Sequence, residues 1–325
     1  MRDAAAAAVS VDEVLAARAV IGGRLHRTPT FTSRMLSEQT GARVHLKAEL
    51  FQRTGSFKPR GVLTNLAALT EEEKARGVIG ISAGNHAAAL AYGAGLEDVS
   101  ALLVMWRGAS EQKIEATRAY GAEVDLAAAG PGEAFDRLTE LTAATGRTLV
   151  HPFDSRGTIA GQGTVGLEIL EDVPDVDVVV VPIGGGGLIA GVAAAVKGAT
   201  PATRVIGVEP EGSNAMRAAL DAGEPVRIEP VSVADGLNAP FAGEQTLPIV
   251  RELVDDVVLV TEDEIHDATR FLYGRAKLAC EPAGAASTAA LLAGKVPHER
   301  GESVVLVVSG GNVAPATAVA ILAGR

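Results

Sequence analysis

Thr54-Gly55-Ser56-Phe57-Lys58-Pro59-Arg60-Gly61 is the stretch on which the reading of this chain turns. Behind it runs Arg43-Val44-His45-Leu46-Lys47-Ala48-Glu49-Leu50, alternating as a strand does; ahead, Val62, Leu63, Leu66 and Leu69 recur on one helical face. Pro59 suits the first helical position, because its missing N–H would be unsatisfied there anyway. That leaves Lys58 as the N-cap, where Ser, Thr, Asp or Asn is the common choice. A cation there faces the positive end of the helix dipole, at a cost of roughly 0.3–1 kcal/mol when exposed. The same field favours the neutral amine, so the expectation is a lowered pKa and a nucleophilic lysine. A lone lysine beside a turn is more often an ordinary surface side chain. The rest of the chain decides.

The bulk composition narrows the classes. A chain of 325 residues exceeds the roughly 250–300 at which one core stops growing, so two lobes are expected. Hydrophobic residues make up 47% and charged residues 21%, ordinary for a globular protein. A net charge of −11 and a pI near 5.1, with no Lys/Arg cluster, argue against nucleic acid as a partner. Cys280 is the single cysteine, which fits a reducing, cytoplasmic setting. Asp12 and Glu13 interrupt the N-terminal apolar run, so an amphipathic helix over about 11–24 is expected rather than a signal peptide. Val178 to Val196 is uncharged and long enough to span a bilayer, but Pro182 and Gly184 to Gly187 would break such a helix near its start. It reads as buried strand, loop and helix, and no membrane association is expected.

Strand-like runs at 43–50, 78–82, 100–105, 122–126, 147–150, 176–182, 203–208, 256–260 and 303–308 alternate with helical patterns, the last near 313–323. His26 to Thr30 reads as a turn, and a short helix follows near 33–40. Alternation on this scale predicts a parallel-rich α/β sheet with right-handed crossovers. In such sheets ligands bind beyond the carboxyl ends of strands, so the turns there matter most.

Three are chemically unusual. Ser82-Ala83-Gly84-Asn85-His86 turns sharply into a helix of small residues, a place for a carboxylate at a helix N-terminus. Gly184-Gly185-Gly186-Gly187 permits close backbone approach to an anion, most simply a phosphate. Gly185, Gly187 and Ala190 also fit the G-x-G-x-x-[GA] dinucleotide pattern, with Glu209 near where a ribose-binding acid would lie. At this point both readings stand. Ser309-Gly310-Gly311-Asn312 closes a charge-free strand, placing a hydroxyl where that strand meets a ligand crevice.

With Lys58, Ser82–His86, Gly184–Gly187 and Ser309–Asn312 in this order, the chain resembles the β-family of pyridoxal-phosphate enzymes, and most closely the serine/threonine dehydratases and serine racemases. The resemblance extends to His151-Pro152-Phe153-Asp154, Gly161-Gln162-Gly163-Thr164, Ala234-Asp235-Gly236 and Cys280-Glu281-Pro282. It implies an α/β fold of two open parallel-rich sheets flanked by helices, like the tryptophan synthase β-subunit (fold type II). A small domain of residues 62–147 would be inserted in a large cofactor-binding domain formed by 1–61 and 148–325. The resemblance further implies that Lys58 forms the Schiff base with pyridoxal 5′-phosphate and later moves the α-proton of the substrate. Asn85 would bond the phenolic oxygen, Phe57 pack on the ring, Gly184 to Gly187 hold the phosphate, and Ser309 bond the pyridine nitrogen. Ser82, Ala83 and His86 would line the place of the substrate carboxylate, with Gly236 near the substrate side chain. Relatives are dimers or tetramers, so a homo-oligomer is implied.

Four features refine that expectation. A serine, unlike an aspartate, does not hold the ring nitrogen protonated, so the ring is a weaker electron sink and suits prompt loss of a β-leaving group. The implied reaction is elimination of water from L-threonine or L-serine, giving 2-oxobutanoate or pyruvate plus ammonia; racemisation, or dehydration of another 3-hydroxy amino acid, is the alternative. Family racemases carry a second serine where this chain has Ala83, which has no group to move a proton on the opposite face. Many relatives bind a divalent cation through a glutamate and a nearby aspartate, but after Glu209 the segment Gly212-Ser213-Asn214-Ala215-Met216-Arg217 supplies no aspartate, and no metal is expected. The chain ends at Arg325, one helix after Ser309, so no C-terminal regulatory domain is expected. A dinucleotide-dependent oxidoreductase leaves Lys58 and Ser309 without a task, and the intact lysine weighs against a sensor that keeps the cofactor site without turnover.

Overall fold

The computed structural model describes residues 9–324. Among them lie ten strands: β1 (Thr30–Thr32), β2 (Arg43–Ala48), β3 (Val78–Ile81), β4 (Ala101–Trp106), β5 (Glu123–Ala128), β6 (Thr148–Leu149), β7 (Val178–Pro182), β8 (Arg204–Pro210), β9 (Asp256–Val260) and β10 (Ser303–Val308). They form a six-stranded sheet, β1-β2-β10-β7-β8-β9, and a four-stranded sheet, β5-β4-β3-β6. All pairs are parallel except β1 with β2.

β7 and β10 are buried along their whole length, as charge-free β-branched runs are in sheets covered on both faces. Their side chains alternate between two cores. Val179, Val181, Val305 and Val307 join the helices Val11–Ile21, Arg156–Asp172 and Gly187–Ala199. Val178, Val180, Val304, Leu306 and Val308 join the helices Glu262–Phe271 and Pro282–Leu292 on the other side. The second sheet packs Leu103 and Met105 against helices Pro59–Ala67 and Asn85–Leu96, and Ile79 and Val104 against helix Pro131–Thr145. An added Cβ on Gly191 would stand 2.5 Å from Gly163 N, so helices Arg156–Asp172 and Gly187–Ala199 touch through backbone.

Every strand expected from the sequence is present, with ends shifted by one or two residues. β1 is an addition: three residues are too few to show a period, and what makes them a strand is antiparallel pairing with β2, which sequence patterning does not record. Lys58 is the N-cap of helix Pro59–Ala67 with Pro59 at its first position, as expected. Behind it Arg60 is fully buried and bonds Glu49 (2.8 Å) and Glu168 (2.7 Å), while Lys47 reaches Glu168 at 2.7 Å. Burial opposes the Arg60 charge, but the two carboxylates outweigh it and raise its pKa. Removing one member would strand a buried charge at a cost of about 3–5 kcal/mol. The network clamps the lysine helix to the end of β2 and to helix Arg156–Asp172. No helix among the described residues is long and apolar enough to cross a membrane.

Candidate active site

The order β2-β10-β7 puts the carboxyl ends of three motif-bearing strands side by side, and the turn after β3 in the second sheet faces them. Between lies a cavity of about 630 Å³. Phe57, Lys58, Ser82, Ala83, Asn85, His86, Gly184 to Gly187, Gly236 and Ser309 all line it. The segments are knitted together locally. Phe57 N–H donates to Ser309 O at 3.2 Å, Gly311 N–H to Gly55 O at 2.9 Å, and Ser56 forms a β-bridge with Gly310.

The Lys58 amine donates to Pro152 O at 2.8 Å and lies 5.1 Å from the Phe57 ring centroid. Pro152 is held by a compact turn in which His151 Nδ1 accepts from the N–H groups of Phe153 (3.3 Å) and Asp154 (2.8 Å). Burial keeps His151 neutral, with its pKa down to about 4, so Nδ1 is free to accept. The Lys58 pKa is lowered to about 8, as the sequence reading expects, but its first cause is burial, with Glu281 pulling the other way. A substantial neutral fraction is therefore present near pH 8.

The glycine loop precedes helix Gly187–Ala199, with Gly186 as N-cap in the left-handed region at φ 95°. Gly185 O accepts from Thr246 Oγ1 at 2.8 Å and from Gly243 N–H at 3.2 Å. With that carbonyl engaged on the outer side, the N–H groups of Gly184 to Gly187 have no acceptor among the described residues. Unpartnered donors at a helix N-terminus form an anion cradle. A second set of helix-start donors follows Ser82, whose hydroxyl accepts from Gly84 N–H at 3.0 Å, at the start of helix Asn85–Leu96. Ser309 is 3% exposed and turns toward the cavity with no side-chain hydrogen bond to the described residues.

Two expected residues behave differently from their motif reading. His86 directs Nε2 to Val150 O at 2.9 Å, which requires the proton on Nε2. Burial, then the Lys58 charge, pushes its pKa to about 3, so the ring is neutral and already engaged; what it can offer a carboxylate is the backbone of the helix start. Glu209, the acid of the dinucleotide pattern, is fully buried and accepts from the N–H groups of Met216 and Arg217, both at 2.8 Å. Both its oxygens are thereby engaged in capping helix Ala215–Ala222 at a fully buried position, away from any ribose or cation. Among the described residues no group of three His, Cys, Asp or Glu could hold a metal ion.

A family model described as pyridoxal-phosphate dependent enzyme matches residues 22–310. The chain belongs to this family. The dinucleotide reading falls with that assignment and with the engaged Glu209. Family membership makes pyridoxal phosphate the cofactor, and the cavity fits it: unpartnered N–H donors suit the phosphate, the half-buried Lys58 amine the aldehyde carbon, and the Ser309 hydroxyl a ring nitrogen. Among family members, the chain is 44% identical to the L-threonine ammonia-lyase of Thermotoga maritima, across 94% of this chain and 76% of that protein. It is 42% identical to the catabolic L-threonine dehydratase of Escherichia coli K12, across 94% and 93%. Maize serine racemase superposes with a TM-score of 0.91 at 39% identity, covering 95% of each chain. These likenesses place the fold among the fold type II members of the family and make the chain an enzyme.

Several lining residues have no task that the sequence assigns. Glu281 is buried on the wall, and Trp106 and Phe135 line the second sheet's side. Lys113 and Asp235 pair at 2.5 Å across the mouth, 122 residues apart in the chain. Motif reading quotes Pro152 and Glu281 only as parts of a likeness, because their tasks arise from partners distant in sequence.

Proposed function

We propose that this enzyme removes water from L-threonine and L-serine, giving 2-oxobutanoate or pyruvate plus ammonia. What carries the reading is one juxtaposition: a lysine amine with a pKa near 8 shares a cavity with the unpartnered N–H groups of Gly184 to Gly187. The substrate class is supported by the names of the relatives at 42–44% identity. Bound pyridoxal phosphate supplies an electron-accepting ring that acidifies the α-hydrogen of an attached amino acid. In this reading Gly184 to Gly187 hold the phosphate, Asn85 takes the ring oxygen, Phe57 packs on the ring and Ser309 takes the ring nitrogen. The substrate carboxylate rests on Ser82, Ala83 and the helix start at His86, with Gly236 beside the side chain. Lys58 would accept the α-proton, the β-hydroxyl would take up one proton and leave as water, so that the proton removed from the α-carbon is balanced, and the released enamine would add water and give the 2-oxo acid and ammonia.

The test is a visible spectrum of the purified protein, then addition of L-threonine or L-serine. A yellow protein whose band shifts as 2-oxo acid accumulates is expected. A yellow protein yielding no oxo acid would sink the dehydratase reading. The likeness to a serine racemase raises serine racemisation as a second activity. Ala83 stands against it, since both faces of the α-carbon need a proton donor or acceptor. Ala83→Ser is expected to raise the ratio of D-serine to pyruvate severalfold; an unchanged ratio would contradict the role given to this face.

The same reading divides the chain into a small lobe of residues 62–147 within a large lobe of 1–61 and 148–325. The separate four-stranded sheet supports it, with β6 joining that sheet just past the boundary. A homo-oligomer, dimer or tetramer, is part of the proposal, supported by exposed apolar side chains such as Phe31 and Phe51, which meet edge to face. A cytoplasmic setting is supported by the free, buried Cys280.

A further inference from the structure

Glu281 is a buried carboxylate on the cavity wall, and nothing above gives it a task. It is 3% exposed, and its Oε1 lies 2.6 Å from Asn85 Nδ2. Asn85 Oδ1 accepts from Asn312 Nδ2 at 2.8 Å, and the same nitrogen of Asn312 donates to Thr54 O at 2.7 Å. A carbonyl and a carboxylate accept only, so this chain of amides has one direction. Turning the Asn85 amide over would set its oxygen against the Glu281 oxygen and its NH₂ against that of Asn312. The Thr54 end therefore locks it at any pH, and the Glu281 end does so in the ionised form. With Oδ1 and one N–H engaged, a single N–H of Asn85 remains for the cavity.

We propose that Glu281 is a positioning residue, which locks the Asn85 amide so that its remaining N–H is presented to the ring oxygen of the bound cofactor. This rests on the reading of Asn85 as the ring-oxygen contact. The surroundings are shaped for the pair. A Cβ on Gly310 would collide with Glu281 Oε1 and stand 3.2 Å from Asn85 Nδ2, so only glycine leaves room for both. The backbone of Glu281 is fixed as well, its N–H donating to Gly310 O at 3.1 Å at the start of helix Pro282–Leu292. Burial, then Asp235, raises the carboxyl to about 7, while the Asn85 bond and the charges of Lys113 and Lys58 oppose that rise. Asn85 is thus the one hydrogen-bond donor to this side chain among the described residues.

Trp106 is the only tryptophan of the chain and lines the same cavity, so its fluorescence reports cofactor binding. The full chain is freed of cofactor and titrated with pyridoxal phosphate. Glu281→Gln, whose amide can donate as well as accept, is expected to weaken binding about tenfold, the size of one lost hydrogen bond. It is also expected to move the visible band of the reconstituted protein while leaving the thermal midpoint unchanged. Asn85→Ala should weaken binding by a similar factor, and the double variant should be no worse than Asn85→Ala alone. Fold-changes that multiply, or wild-type binding by Glu281→Gln, would overturn the proposal. Wild-type binding by Asn85→Ala would instead overturn the reading of Asn85. Should Glu281→Gln misfold, the exposed Asn312→Ala opens the other end of the same chain and carries the same test of non-additivity against Asn85→Ala.

Discussion

Replacing Lys58 by alanine is expected to lower oxo-acid formation by about 1,000-fold or more, the loss that follows removal of a positioned acid/base group. Two properties of Lys58 make it the expected base. It is the amine held inside the cavity, by Pro152 O, and burial brings its pKa to about 8. The fold should survive the change, and the direction of the shift explains why. Stability rises with pH wherever the unfolded chain binds more protons. For Lys58 that window lies between about 8 in the fold and 10.5 in the free side chain. Below it the half-buried ammonium carries its desolvation cost in the folded state, so at pH 7 alanine removes an unfavourable term. Pro152 O loses a donor, but it borders the cavity, where water can replace the amine. The expected result is an inactive protein with a thermal midpoint at pH 7 equal to or above that of the wild type. Turnover near the wild-type rate would remove Lys58 from the mechanism. A collapse of the midpoint would mean its role in the fold had been misjudged.

The parts of this site legible in sequence share a physical reason. Lys58, Gly184 to Gly187 and Ser309 each follow a run with the period or composition of a strand, so the α/β rule places all three at strand ends without coordinates. What was not legible depends on pairing across the chain. β1 exists because it meets β2, and the side chain of His86 is taken by Val150 O. The sign of the Lys58 shift is legible in the helix start at Pro59 but its first cause is not, because burial depends on segments distant in sequence. Glu281 is the sharpest case. It is 196 residues from Asn85, and in isolation Cys280-Glu281-Pro282 reads as no more than a helix start. The strand order β2-β10-β7, which makes neighbours of the lysine, serine and glycine turns, is likewise a product of crossovers whose order composition does not specify.

Gly186→Asp is the second large effect, and it separates two roles of one glycine. Gly186 has φ 95°, and a Cβ there would meet Met216 Cε at 2.6 Å and Thr246 Oγ1 at 2.7 Å. Backbone strain of this kind costs about 1–3 kcal/mol, and Thr246 would have to release Gly185 O, which it now holds. Aspartate is also a favoured N-cap, and its carboxylate would accept from the same free N–H groups that the phosphate needs, recovering about 1 kcal/mol of fold stability. The new charge thus helps the helix while excluding the ligand. Against a phosphate about 4 Å away, one negative charge adds about 4 kcal/mol of repulsion at an effective dielectric constant of 20. Cofactor affinity is therefore expected to fall by at least about 30-fold, even with that figure halved by relaxation. Gly186→Asn supplies the control: it is of similar size, tolerates positive φ better than other side chains, and carries no charge. It should retain more cofactor than the aspartate variant at a comparable thermal midpoint. Equal losses from both would assign the effect to crowding by Met216 and Thr246. Full cofactor content in purified Gly186→Asp would mean that the loop does not hold the phosphate.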